Sequence, residues 1–142
     1  MKVAIAADHG GFDLKEALKK KLSTVEWVDL GTHNGDSVDY PDFGAALARR
    51  VAAGEFQRGV LICGSGIGIS IAANKIKGIR AALCHNAYTA EMARKHNDAN
   101  IIAMGGRVVD ENTAATMTEI FLSTDFEGGR HARRVEKIQA LE

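Results

Sequence analysis

The stretch GVLICGSGIGISIAANKIKG, residues 59–78, carries the strongest structural signal in this 142-residue chain. It begins with an uninterrupted apolar run that ends in Cys63, which is typical of a strand buried on both faces. Glycines 64, 66 and 68 form a loop, and residues 68–78 have a helical pattern that closes on Gly78. A buried strand, a tight loop and a helix together predict one βα unit of a parallel sheet.

Similar apolar runs and helical segments alternate along the rest of the chain. We predict strands over residues 2–7, 25–30, 59–63, 79–84 and 99–105. We predict helices over residues 12–22, 43–54, 68–78, 87–96, 112–123 and 130–142. With one proline, no repeat and no linker, the chain is expected to form one domain over residues 1–142. The predicted fold class is α/β, a three-layer α/β/α sandwich with a five-stranded parallel Rossmann-like sheet.

The composition argues against nucleic-acid and membrane partners. Eighteen Lys and Arg residues balance eighteen Asp and Glu residues, so the chain has no overall field that would attract polyanions. Aromatic residues make up only 6% of the chain, which is unfavourable for a base-stacking surface. No apolar run reaches the length of a membrane span or a signal peptide, so we expect a cytoplasmic protein.

The cysteine and histidine spacing gives no sign of a disulfide framework or a metal site. Cys63 and Cys84 both end apolar runs, and two lone cysteines in a chain of this size are typical of reduced thiols. No pair of histidines or cysteines has the spacing of zinc ligands, so we predict no metal.

The glycine loop after Cys63 does not match any of three familiar anion-binding motifs. A Walker A loop, a G-x-G-x-x-G dinucleotide loop and a cysteine-phosphatase loop each fail at Ile69. Two interpretations fit what is left. The backbone N–H groups and the start of the helix could hold an anion or oxyanion beside a thiolate. Alternatively, the stretch is a buried cysteine followed by a tight turn.

In a parallel sheet, functional residues gather where the strands end. Here that rule selects residues 7–11, 31–41, 63–68, 84–88 and 105–107. Asp8 could be functional or could cap the next helix. His96 and Asn97 end a helix, where a histidine can also serve only to offset the helix dipole. Arg130 and Arg134 share a helix face that suits a phosphate or a solvated basic patch, and Arg107 follows a glycine pair.

Several segments together resemble the ribose-5-phosphate isomerase B family, which includes the galactose-6-phosphate isomerase subunits. The matching segments are ADHGG near the start, VDYPDF (38–43), GVLICGSGIGISIAANKIKGIRAA (59–82), RKHNDANIIAMGGRVV (94–109) and FEGGRHARRV (126–135). The resemblance extends from the first strand to the last helix. It implies an aldose–ketose isomerisation of a sugar phosphate, ribose 5-phosphate to ribulose 5-phosphate in the pentose phosphate pathway, with no cofactor.

The resemblance also implies a role for each matching residue. Cys63 would be the base that moves a proton between C2 and C1 of a cis-enediolate. One branch of the family uses a glutamate at the position of Ile69 instead, so this chain resembles the cysteine branch. The catalytic residues implied by the family are Cys63, Ser65, His96 as the group that opens the sugar ring, and Asp8. The implied substrate-binding residues are His9, Tyr40, Gly64, Gly66, Gly68, Asn97, Arg107, Arg130 and Arg134.

Family members form homodimers, some of which pair into tetramers, with each active site shared between two subunits. The same arrangement is expected here, with the C-terminal helix, about residues 129–141, at the dimer interface. The substrate stays open: allose 6-phosphate, galactose 6-phosphate and a tetrose phosphate are alternatives. A binding module without catalytic activity is a further alternative, although that class would be expected to lack the base or the ring-opening histidine.

Overall fold

A computed structural model describes residues 1–142, and its eleven elements alternate as the sequence predicts. The strands are β1 Lys2–Ala7, β2 Glu26–Asp29, β3 Arg58–Cys63, β4 Ala81–Leu83 and β5 Ile101–Gly105. The helices are α1 Phe12–Lys21, α2 Tyr40–Ala52, α3 Ile67–Asn74, α4 Ala87–Lys95, α5 Glu111–Ser123 and α6 Arg130–Gln139. All neighbouring strands pair in parallel, in the order β2-β1-β3-β5-β4. The predicted α/β class and five-stranded parallel sheet are therefore confirmed.

The sheet separates two hydrophobic cores because successive strand residues point to opposite faces. On one face Val60 and Ile62 pack with apolar side chains of α1, α4 and α5, such as Phe121. On the other face Leu61 and Cys63 pack with side chains of α2 and α3. All four of these β3 residues are at most 4% exposed, which explains why the strand reads as a continuous apolar run.

Several predicted boundaries differ from the structure by a few residues. Helix α2 begins at Tyr40 rather than at residue 43, because Pro41 suits the first turn of a helix, where its missing N–H costs nothing. Helix α3 ends at Asn74 rather than at residue 78. Helix α6 ends at Gln139, so the predicted range 130–142 is too long. Patterns locate an element more reliably than its ends, since helix ends depend on local hydrogen bonds.

One buried ion-pair cluster joins α1 to the end of β2. Lys15 is completely buried, and its ammonium group donates to Asp29. Lys19 donates to the same carboxylate oxygen at 2.7 Å, and the other oxygen accepts the N–H of Gly31 at 2.9 Å. Burial raises the pKa of Asp29, but the two lysines and the Gly31 N–H more than offset this, so that its pKa lies below 3.8.

Helix α6 lies apart from both cores. Only His131 and Val135 of this helix are buried, while Ile138, and Leu141 just beyond the helix, are exposed. None of the helices is both long enough and apolar enough to span a membrane.

Candidate active site

Three loops interlock at the carboxyl edge of the sheet, where β1, β3 and β5 end. The N–H of Asp8 donates to Ile62 O at 3.2 Å, and the N–H of Arg107 donates to Gly64 O at 3.0 Å. These backbone bonds bring together three of the stretches selected from the sequence, residues 7–11, 63–68 and 105–107. The parallel sheet gathers them because all of its strands end at the same edge.

The Cys63 thiol lies at the base of this loop cluster. Its side chain is buried, and its Sγ accepts the N–H of Gly66 at 3.1 Å. The N–H groups of Gly64, Ser65 and Gly68 form no hydrogen bond within the chain. The loop therefore combines both interpretations of the sequence: a buried cysteine, and a set of N–H donors that an oxyanion could engage.

The second cysteine has a different environment. Cys84 is completely buried, and neither thiol forms a disulfide. Burial raises the pKa of Cys84 to about 11, an effect only partly offset by the Thr89 hydroxyl. Cys84 therefore stays a thiol near neutral pH and cannot act as a base there.

Glycine is required in this loop because other groups press against its backbone. Gly66 has a φ of 79°, and a Cβ there would lie 2.6 Å from Leu83 Cδ1. A Cβ on Gly68 would lie 2.5 Å from carbons of the Tyr40 ring, so this ring rests directly on the loop. The glycines are needed here because they have no side chain, so neighbouring groups can pack directly against the loop backbone. Flexibility alone does not explain them.

Arg107 and Ser65 complete the exposed rim of the loop. A Cβ on Gly64 would lie 2.8 Å from Arg107 Nη1, which places the guanidinium over the residue after Cys63. This guanidinium is exposed and forms no ion pair. The Ser65 hydroxyl accepts the N–H of Ile67 at 3.1 Å, at the start of α3. A free cation therefore lies over the loop at Gly64, and the Ser65 hydroxyl lies at the start of α3.

Asp8 and His9 are oriented by backbone hydrogen bonds. Asp8 is buried, and its Oδ1 accepts the N–H groups of Gly10 at 2.9 Å and Gly11 at 3.1 Å just before α1. Its Oδ2 forms no hydrogen bond, so one oxygen fixes the turn and the other is free for a ligand. His9 is exposed and its Nδ1 accepts the N–H of Val38 at 3.2 Å. That bond assigns the proton of the neutral ring to Nε2.

The other four predicted residues lie at the opposite edge of the sheet. Helix α4 starts after β4 and runs back towards the beginning of β5, so His96 and Asn97 come near the amino ends of the strands. Arg80, which precedes β4, donates to Asn97 O at 3.0 Å. Helix α6 begins beside them, since the N–H of Glu127 donates to Lys95 O at 3.1 Å. One copy of the chain therefore separates His96, Asn97, Arg130 and Arg134 from Cys63.

The imidazole of His96 is stacked on that of His131, which the sequence analysis assigned no role. Their ring centroids are 4.1 Å apart and their planes differ by 11°. Glu127 lies 3.5 Å from His131, and one potential ligand atom from each of the three residues falls within 4.8 Å of the others. The in-plane lone pairs of the two stacked rings lie in nearly parallel, separate planes, so they do not point at one shared ion as metal ligands do. Glu127 and His131 follow His96 by 31 and 35 residues in the sequence. At this spacing no sequence pattern predicted that the three residues would cluster.

A cavity of about 680 Å³ lies at the same amino edge. It is bordered by the end of α3, the start of β4 and the exposed tail of α6, including Asn97, Ile138 and Leu141. Glu142 closes one side by accepting the N–H of Gly78 at 2.8 Å. This cavity does not extend to the Cys63 loop, so its volume does not indicate the size of a ligand that binds beside Cys63.

Comparison with known proteins identifies the family of this chain. The family model described as ribose/galactose isomerase matches residues 3–138. Ribose-5-phosphate isomerase B of Escherichia coli is 46% identical over 99% of this chain and 96% of its own length. D-erythrulose-4-phosphate isomerase of Pectobacterium atrosepticum is 42% identical over 97% of this chain and 93% of its own.

Solved structures show the same fold over nearly the whole chain. The structure of Clostridium thermocellum ribose-5-phosphate isomerase B superposes with a TM-score of 0.97 at 52% identity, covering 99% of this chain and 97% of that one. Type B ribose 5-phosphate isomerase of Trypanosoma brucei gives a TM-score of 0.96 at 49% identity, over 99% and 98%. With this agreement in sequence and fold over almost every residue, the chain belongs to the ribose/galactose isomerase family and is an aldose–ketose isomerase of the ribose-5-phosphate isomerase B type.

Proposed function

We propose that the chain interconverts ribose 5-phosphate and ribulose 5-phosphate through a cis-enediolate, with Cys63 as the base. The observation that carries this proposal is the environment of the thiol. Its sulfur accepts a backbone N–H at 3.1 Å in a loop with three further unpaired N–H donors. A proton next to a carbonyl is weakly acidic, so its removal needs a base and fixed donors for the enediolate oxygen. Both are supplied by residues 63–68.

The proton transfer needs no other reagent. The Cys63 thiolate takes the C2 proton of the open-chain aldose, and the C2–H electron pair forms the enediol double bond. The negative charge passes to the carbonyl oxygen, facing the unpaired N–H groups of Gly64, Ser65 and Gly68. The same sulfur then returns the proton to C1, the hydroxyl proton on O2 passes to O1, and the carbonyl re-forms at C2. Hydrogen and electrons balance within the substrate, so the step itself requires no cofactor.

The remaining residues would bind and prepare the substrate. Asp8 and Tyr40 would contact sugar hydroxyls, while His9 and Arg107 would face the phosphate or the carbons near it. His96 would exchange a proton with the ring oxygen to open the furanose, and Asn97 would bind near the enediolate. Arg130 and Arg134 would hold the phosphate, whose binding energy fixes the reacting carbons.

The candidate residues at the carboxyl edge, around Cys63, and those at the amino edge, around His96, can form one site only if a second copy of the chain supplies one of the two groups. His96 and the two arginines of α6 are separated from Cys63 by α4, nine residues that span about 13 Å. We therefore propose a homodimer, or a dimer of dimers, in which the carboxyl edge of one copy faces the amino edge of the other. The exposed Ile67 and Ile71 of α3, beside the loop, and the exposed end of α6 suit such an interface.

A tetrose phosphate is the second candidate substrate, because a relative 42% identical to this chain is a D-erythrulose-4-phosphate isomerase. Both substrates would use the same proton transfer. They differ by one carbon between the reacting centre and the phosphate, so the distance between Cys63 and the partner's arginines would decide between them.

The test is an isomerase assay of the purified protein with four-, five- and six-carbon aldose phosphates. We expect the largest kcat/KM with ribose 5-phosphate, and unchanged activity after treatment with a metal chelator. Replacing the base in Cys63→Ala should lower kcat by roughly a thousandfold, whereas Cys84→Ala, the matched control, should stay near wild type. Full activity of Cys63→Ala would contradict the base assignment, and absence of turnover with every phosphosugar would contradict the proposed function.

A further inference from the structure

His131 is the residue at the start of α6 that turns inwards. Arg130, Arg133 and Arg134 around it are exposed, while His131 is only 7% exposed. Its backbone N–H donates to Gly128 O at 3.0 Å, which helps to fix the turn into the helix. A histidine buried among exposed arginines at the start of a helix contributes nothing to solubility. Its burial therefore indicates a specific contact inside the molecule.

The contact of His131 is with the face of the His96 ring. The centroids lie 4.1 Å apart with nearly parallel planes, and the His96 ring forms no hydrogen bond within the chain. Histidines that transfer protons are usually oriented by a hydrogen bond to the second ring nitrogen. Here no such bond exists, and stacking is the contact that orients the ring. Because the contact is through the face, both nitrogens of His96 stay free at the ring edge.

The position of the pair is also fixed by the backbone. His96 ends α4, where its N–H donates to Met92 O at 2.9 Å, and α6 is tied to the same helix end through Glu127 and Lys95. Behind this junction Arg94 is buried and donates to Thr124 O at 3.0 Å and to Asp98 at 2.8 Å. The two rings are thus carried by anchored helix ends rather than by a loose loop.

The charges around the pair favour an uncharged His131. Burial lowers the pKa of His131 below 6.5, and the nearby His96, Arg130 and Arg134 lower it further, while Glu127 raises it. A neutral ring can stack under His96 in either of its charge states and attracts the protonated one through its π face.

We propose that His131 is a positioning residue that holds the His96 imidazole by stacking, so that both nitrogens of His96 stay available for opening the ring of a cyclic sugar phosphate. This inference rests on the proposed role of His96. His131 itself touches neither substrate nor reacting atoms. Its contribution is to fix the plane of the His96 ring before the substrate binds.

The test compares His131→Ala, which removes the stacking face, with His131→Phe, which keeps one. Ribose 5-phosphate is mainly a closed furanose, whereas ribulose 5-phosphate cannot close that ring. We expect His131→Ala to reduce kcat about tenfold for the aldose, a part of what a general acid–base group contributes, with little change for the ketose. His131→Phe should recover most of the loss, and Arg133→Ala, on the exposed side of the same helix, should resemble wild type.

A spectroscopic measurement tests the stack without any turnover. In wild type, the carbon-bound ring protons of His96 should show an upfield ring-current shift in the proton NMR spectrum, lost in His131→Ala and kept in His131→Phe. Equal losses of aldose and ketose turnover, or no advantage of Phe over Ala, would overturn the positioning role. If wild type turned over no phosphosugar but the shift behaved as described, the proposed function would fail and the stack would stand. If His131→Ala does not fold, His131→Asn, a polar side chain without an aromatic face, takes its place with the same expected losses.

Discussion

At the scale of single residues, the candidate site depends on backbone that only glycine can adopt. Gly66 combines a positive φ of 79° with close neighbours on two sides: Leu83 Cδ1 would lie 2.6 Å and the Met104 carbonyl carbon 2.7 Å from an added Cβ. The second neighbour is backbone of β5 and cannot rotate away. Any side chain at this position must therefore move the loop, and with it the N–H that Cys63 Sγ accepts.

We expect Gly66→Ala to lower the free energy of unfolding by about 3 kcal/mol, from backbone strain and overpacking together. Activity should fall more than tenfold, because the donor set around the thiol is displaced. Gly54→Ala is the matched control: its φ of 83° is similar, but nothing lies within 4 Å of an added Cβ. That variant should lose about 1 kcal/mol, the conformational cost alone, and keep its activity. Urea unfolding and the isomerase assay measure both; equal effects in the two variants would contradict the steric argument.

At the scale of elements, the buried pair between α1 and β2 makes the fold sensitive to acid. The pKa of Asp29 lies below its ordinary value of 3.8 in the folded chain, since the lysine contacts outweigh the effect of burial. Its stabilising contribution is therefore complete above pH 4. It decreases as the pH falls below 3.8 through the folded pKa, because the carboxyl group then takes up a proton and no longer pairs with Lys15 and Lys19.

Asp29→Asn should lower the free energy of unfolding by about 3 kcal/mol near pH 7, since it leaves the buried Lys15 without its main partner. The difference from wild type should shrink as the pH is lowered below about 4, as measured by urea unfolding at each pH. Glu26→Gln serves as control, because Glu26 pairs with Lys2 at 3.9 Å with both side chains 66% exposed, and such a pair contributes little. A difference independent of pH would show that the charge of Asp29 is not what matters.

At the scale of the whole molecule, the candidate site residues lie at two opposite edges of one sheet. Parallel strands put Cys63 at the carboxyl edge, and the return of α4 puts His96 at the amino edge. A shared site makes a prediction that a monomeric enzyme does not. Two inactive variants, each defective in a different half, should restore one intact site when they form a mixed dimer.

We expect Cys63→Ala and Arg134→Ala to be nearly inactive alone at low substrate concentration. Co-expressed in equal amounts, they should recover roughly a quarter of wild-type activity, since half of the dimers are mixed and each has one intact site. Light scattering should give a mass of twice 15.2 kDa or a multiple of it. Cys63→Ala paired with Asp8→Ala, which both lie at the carboxyl edge, should recover no activity beyond that of the two variants alone, because each site of the mixed dimer then has one defect. No recovery in a purified mixed dimer would contradict the shared site.

The sequence by itself was enough to determine the fold class and the order of the elements, and it was the source of the candidate residues. Buried parallel strands appear in the sequence as continuous apolar runs. The alternate glycines after Cys63 indicate a tight loop, because few other structures require so many glycines together. These signals are local along the chain, so they can be recognised from the sequence alone. Element ends were less well predicted: Pro41 admits an earlier start of α2, and hydrogen bonds at residues 75–78 end α3 early.

Only the tertiary structure decided which of those residues meet. His96 and His131 are 35 positions apart and stack only because α4 ends and α6 begins at the same corner of the molecule. The separation of Cys63 from Arg130 and Arg134 follows from strand direction and helix return, which no residue pattern encodes. The close contact of Gly68 with Tyr40 likewise requires two elements to be packed. Contacts between distant segments arise from packing in three dimensions, whereas the sequence carries the local preferences that make such packing feasible.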